Sequence, residues 1–145
     1  MRQYATTLTL SRRDVRDLMH TANVIYRTGI KEMNKDLLIS RISATNTLIS
    51  LIFLKSNKVA LATAVIGLLL NMSVNEKQML TNLFIDGMSF CEDLFYFMDE
   101  NPEYDLVRVE LPFVEYKFDG EPVRFVCGEG VVKRVHTEDG WISLE

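Results

Sequence analysis

The chain opens on an alternating stretch. In QYATTLTL, residues 3–10, Tyr4, Thr6, Leu8 and Leu10 share one face, the period-two pattern of a half-buried strand. The period then changes. After Ser11, the residues Val15, Leu18, Met19, Ala22, Ile25 and Tyr26 recur at three and four spacing, with Arg12, Arg13, Arg16, Asp17, His20, Asn23 and Arg27 mostly off that stripe. Ser11 is placed to cap this helix, with Asp14 in its first turn, and Gly29 to close it in a left-handed conformation. A second helix is expected over 34–55, capped by Asn34 and carrying Leu38, Ile42, Thr45, Ile49 and Ile52 along one side. The run KSNK at 55–58 interrupts it, with Ser56 or Asn57 capping a third helix over 59–71. Ala60, Ala64 and Gly67 leave a groove of small residues on that helix.

The apolar stretch VALATAVIGLLLNMSVNEKQMLTNLF, residues 59–84, is not one element. Ser73 and Glu76 fit a capping box, which starts a fourth helix at about Val74. Leu80, Leu83, Phe84, Gly87, Cys91, Leu94, Phe95 and Met98 form its broad apolar face, and Ile85, Phe90 and Phe97 extend the apolar surface further. The run DENPEYD, 99–105, closes it, since Pro102 cannot continue a helix.

From Asp105 the period returns to two. Val107, Val109, Leu111 and Phe113 alternate; then the phase flips to Val114, Tyr116 and Phe118, which predicts a bulge or edge bend near Pro112. Asp119-Gly120, Gly128-Glu129-Gly130 and Asp139-Gly140 separate further short strands. The predicted class is α+β: an N-terminal strand and about four helices, followed by a C-terminal antiparallel β-meander of four or five short strands. The first strand is a candidate to join the meander. We read one domain over 1–145, mainly helical over 1–101 after the first strand, with the meander over 102–145. A chain of 145 residues buries enough surface to fold without a disulfide or metal.

Charge changes this picture more than composition does. The net charge is −4, yet residues 1–60 hold ten Lys/Arg against four Asp/Glu, and residues 61–145 hold six against sixteen. The halves therefore carry +6 and −10, a split that suits mutual attraction within a chain or between copies.

Candidate chemistry is sparse. Cys91 and Cys127 form no C-x-x-C motif and read as two free thiols of a reducing, cytoplasmic setting. The N-terminal residues show no signal-peptide pattern. The uncharged run 59–75 falls short of a membrane helix, so no membrane partner is expected. His20 and His136 have no second ligand at metal-site spacing, and no phosphate loop, nucleophile elbow or calcium loop is present. No catalytic residue, cofactor or metal is assigned, and the reading is a non-enzymatic binding protein. It would act by protein–protein association as a regulatory, inhibitory or sequestering module, as a homo-oligomer, through Phe84, Phe90, Phe95 and Phe97 of the fourth helix. An alternative is a binder of a small anion such as a nucleotide, held by Arg12, Arg13 and Arg16 at a helix start. A nucleic-acid-binding regulator ranks behind both, because the chain is acidic overall.

Overall fold

Ser11 ends a strand and begins a helix within a single residue. The computed structural model, which describes residues 1–145, has β1 over Arg2–Ser11 and α1 over Arg12–Val24. The Ser11 hydroxyl accepts from the Asp14 N–H, and the Asp14 carboxylate accepts from the Ser11 N–H, each at 3.0 Å. Helix α1 does not stop at Gly29. It widens into a π-helical stretch, Ile25–Lys31, and the left-handed residue is Met33 at φ 51°. Gly29 serves packing instead: a Cβ there would crowd Val65 Cγ1 at 3.1 Å and Leu38 Cδ2 at 3.3 Å.

The helix expected over 34–55 is two helices, α2 (Lys35–Arg41) and α3 (Asn46–Phe53). Ile42 turns extended, and Thr45 caps α3 by accepting from the Leu48 N–H at 3.2 Å. Periodicity hides the break because Leu38, Ile42, Ile49 and Ile52 stay buried on both sides of it. Helices α4 (Lys58–Asn71) and α5 (Val74–Glu100) follow, capped by Asn57 and by the reciprocal Ser73–Glu76 box.

Four strands complete the chain: β2 (Leu106–Phe118), β3 (Glu121–Val126), β4 (Val131–Thr137) and β5 (Gly140–Ser143). The expected α+β class is the observed one, and all strand pairs are antiparallel. Strand β1 pairs with β2 from Arg2 opposite Glu115 to Ser11 opposite Leu106, so the first strand joins the C-terminal sheet. The other edge of β2 is shared. Strand β4 takes Leu106–Glu110, and β3 takes Phe113–Phe118. The handover falls at Pro112, which has no N–H to offer and whose carbonyl accepts from the Cys127 N–H at 3.0 Å.

No bulge lies at Pro112. The β1–β2 register is unbroken there, and the register shift sits between Arg108 and Val109, where Lys133 of β4 is left without a partner. The phase flip has a different cause. Where β3 replaces β4, helices cover the opposite face of β2. Phe125 lies opposite Val114 and meets Phe84 of α5 at 5.6 Å and Phe53 of α3 at 6.3 Å between ring centroids. Phe118 fills the space above Gly67 of α4, where a Cβ would overlap its ring. Both Phe113 and Val114 are therefore fully buried. One cluster of 35 buried apolar residues spans helices and sheet.

Arg124 of β3 sits inside this structure. Its guanidinium stacks 3.9 Å from the Phe113 ring centroid and donates to the carbonyls of Ile52 (2.9 Å) and Leu51 (2.8 Å). It also donates to the Tyr4 hydroxyl at 3.1 Å, which in turn donates to Glu115 at 2.7 Å. The last carbonyls of α3 are thus satisfied by the sheet. Arg124→Ala leaves the Ile52 and Leu51 carbonyls without their donor, the first of these contacts being fully buried, and removes the stack on Phe113. The expected loss is about 2–4 kcal/mol in urea unfolding; a change within experimental error would mean the guanidinium is not what holds α3.

Candidate functional site

The sequence spacing does bring Arg12, Arg13 and Arg16 together. With Phe95, Met98 and Asp99 of α5 they line one open cavity of about 460 Å³. Arg12 has a further task. It donates to the carbonyls of Met98, Asn101 (3.0 Å) and Tyr104, and so caps the C-terminal end of α5. Arg13 and Arg16 keep exposed side chains and both lean on Asp17, at 3.7 and 3.6 Å. Two of the three guanidinium groups therefore remain open to an anion, over a floor of Phe95 and Met98.

The four phenylalanines do not share a surface. Phe84 is buried against Phe125, and the Phe90 ring packs over Gly130. No partner reaches either. Phe95 is half-buried beside the arginine cavity, edge-on to Tyr96 at 5.5 Å. Phe97 is half-buried on the other flank, against Tyr104 at 5.6 Å. Helix α5 packs on α1 and on β3, which covers Phe84 and Phe90, while Met79, Ile85 and Tyr96 on its outer side stay exposed.

Helix α4 also leaves apolar surface partly uncovered. Its inner side buries Leu61, Ala62, Ala64, Val65, Leu68 and Leu69. Its outer side carries Val59, Thr63, Ile66 and Leu70 at steps of four, three and four; Val59 and Leu70 are exposed, Leu70 to 70 %, and Thr63 and Ile66 are half-buried. Val74, at the start of α5, continues the patch and is 82 % exposed. No charged residue occurs between Lys58 and Glu76. The small-residue groove of α4 is not part of this surface, because Phe118 occupies it at Gly67. The segment Asn46–Asn71 is apolar and long enough to cross a membrane by length and composition, with mean hydropathy 1.5 and 39 % of that window buried. Its backbone is interrupted, however, by Leu54 in the left-handed region at φ 63°.

The remaining reactive groups are quiet. Cys91 and Cys127 are free and buried; burial pushes the Cys91 thiol up to about 12, with Glu92 adding to it, and burial likewise raises Cys127. Neither is a ready nucleophile at neutral pH. His136 donates from Nδ1 to Asp105 at 2.7 Å, and that hydrogen bond holds the Asp105 carboxyl below its ordinary range. His20 is exposed, with Nε2 3.3 Å from the Arg41 carbonyl. The α4 surface could have been found in the sequence from the unbroken uncharged run with apolar residues on every side. Set against protein-family models, curated proteins and solved structures, the chain gives no match.

Proposed function

We propose that this protein works by association, as a non-enzymatic binding module whose contact surface is the outer face of α4, and that its first partner is a second copy of itself. The observation that carries this is the Val59–Thr63–Ile66–Leu70 stripe, exposed at Val59 and Leu70 and half-buried between them. A helix that is apolar all round belongs in an interior, and here one side is only partly covered. Lys55 and Lys58 stand at the start of α4, while the negative pole of the helix and Glu76 stand at its end. In an antiparallel two-fold pair, each copy's lysines fall beside the other's negative end.

The charge split supports the same reading. Of the five ion pairs, only Arg2–Glu115, at 3.8 Å, joins the basic first 60 residues to the acidic remainder. The asymmetry is left on the surface, where it orients copies or partners. A module of this kind acts by occupying a surface, so as to regulate, inhibit or sequester. Two free, buried thiols fit a reducing cytoplasmic setting.

A second reading rests on the arginine cavity. A small anion with an apolar body, such as a nucleotide, would meet Arg13 and Arg16 above Phe95 and Met98.

Light scattering with size exclusion tests the first reading. The wild-type chain should run as a dimer at tens of micromolar, and Leu70→Asp should run as a monomer with unchanged circular dichroism. A monomeric wild type overturns it. For the second reading, nucleotide should raise the melting temperature of the wild type and not of the Arg13→Ala/Arg16→Ala variant; equal shifts in both would remove the cavity as the site.

A further inference from the structure

We propose that the outer face of the sheet around Trp141 is a binding site for a nucleotide, with the phosphate on Arg108 and Arg134 and the base against the indole. Arg108 of β2 and Arg134 of β4 are directly opposite each other and therefore share a face. Both are exposed, and neither belongs to any of the ion pairs of the chain. Like charges directly opposite across a ladder are unfavourable. An oxyanion between them reverses that sign and matches two planar guanidinium forks at once.

The aromatic half of the site is adjacent. Trp141 of β5 lies opposite His136, edge-on at 5.1 Å, and remains 40 % exposed. The Arg108 guanidinium carbon stands 5.2 Å from the Trp141 ring centroid, and its Nε donates to Thr9 Oγ1 at 3.4 Å. That bond aims Arg108 across the face rather than into solvent. The His136 ring beside the indole donates to the Asp105 carboxylate at 2.7 Å, which orients it. One acid offsets part of this charge: Glu145 is held by Lys133 at 2.7 Å and is also within electrostatic reach of Arg134, whereas Glu110, two residues along β2, forms no ion pair with either arginine.

Two guanidinium groups beside a partly open indole select a ligand with a phosphate and a flat ring in one unit. A free mononucleotide and the nucleotide unit of a single strand share that chemistry. Thr7 and Thr9, exposed on the same face of β1, extend the platform along the sheet for the longer ligand.

Trp141 is the only tryptophan, so its fluorescence reports the site directly. The intact protein is titrated with adenosine monophosphate, with a short oligothymidylate and with adenosine. Quenching by a phosphate-bearing probe and not by adenosine is expected, with affinity at least about tenfold lower in Arg108→Ala/Arg134→Ala. Tighter binding of the oligothymidylate assigns a single strand; binding of the mononucleotide at equal or higher affinity assigns the free nucleotide. The proposal is overturned if no phosphate-bearing probe quenches, if adenosine quenches equally, or if the double variant binds unchanged. It also falls if Arg13→Ala/Arg16→Ala abolishes the signal, which would move the site to the α1 cavity.

Discussion

One backbone contact organises this protein. Helix α5 touches the end of β3 at Gly87, where its backbone lies so close to the Val126 carbonyl that a methyl group would overlap it. The contact falls at the notch where Pro112 passes β2 from one partner strand to the other. With Gly87 seated there, Phe84 reaches Phe125 on one side and Phe90 reaches Gly130 on the other. The ends of the 27-residue helix are secured separately. Ser73 and Glu76 satisfy its first N–H groups, and Arg12 satisfies its last carbonyls from the start of α1. A long helix pinned at both ends and in the middle has one position, and the rest of the core is built against it.

That position decides where function can lie. Phe84 and Phe90 of α5 are core residues, and the outer side of the same helix leaves Met79, Ile85 and Tyr96 exposed. Helix α4 is pushed outward with one side only partly covered, and the β2–β4–β5 part of the sheet presents a polar outer face. Arg124 and Arg12 show the other use of arginine in this chain. Each closes a helix C-terminus over a long sequence separation, α3 from β3 and α5 from α1. Arg108 and Arg134 instead stand side by side on the outer face of the sheet beside Trp141.

Local signals were readable in the sequence and long-range ones were not. Ser11, Asn34, Asn57 and Ser73 all cap helices as their spacing predicts, since a cap depends on residues within one turn. The break at Ile42–Thr45 was hidden because both flanking helices bury the same kind of residue. Arg124 occupied an ordinary alternating position between Val123 and Phe125, and nothing local says that its neighbour is the end of α3. Gly87 read as one member of an apolar face, when its meaning is the carbonyl opposite. The phenylalanines of α5 were legible as excess apolar surface, but pattern cannot say whether the cover is a partner or the chain's own sheet. The uncharged run of α4 was visible as such, but a helix with no polar side does not say which of its sides faces out.

The central claim is that α5 and β3 meet backbone to backbone, and Gly87→Ala tests it most directly. In an exposed helix interior, alanine in place of glycine stabilises by about 1 kcal/mol. Here the methyl group must displace the Val126 carbonyl, so urea unfolding followed by circular dichroism should show a loss of about 2 kcal/mol or more. A variant as stable as the wild type, or more stable, would contradict the account.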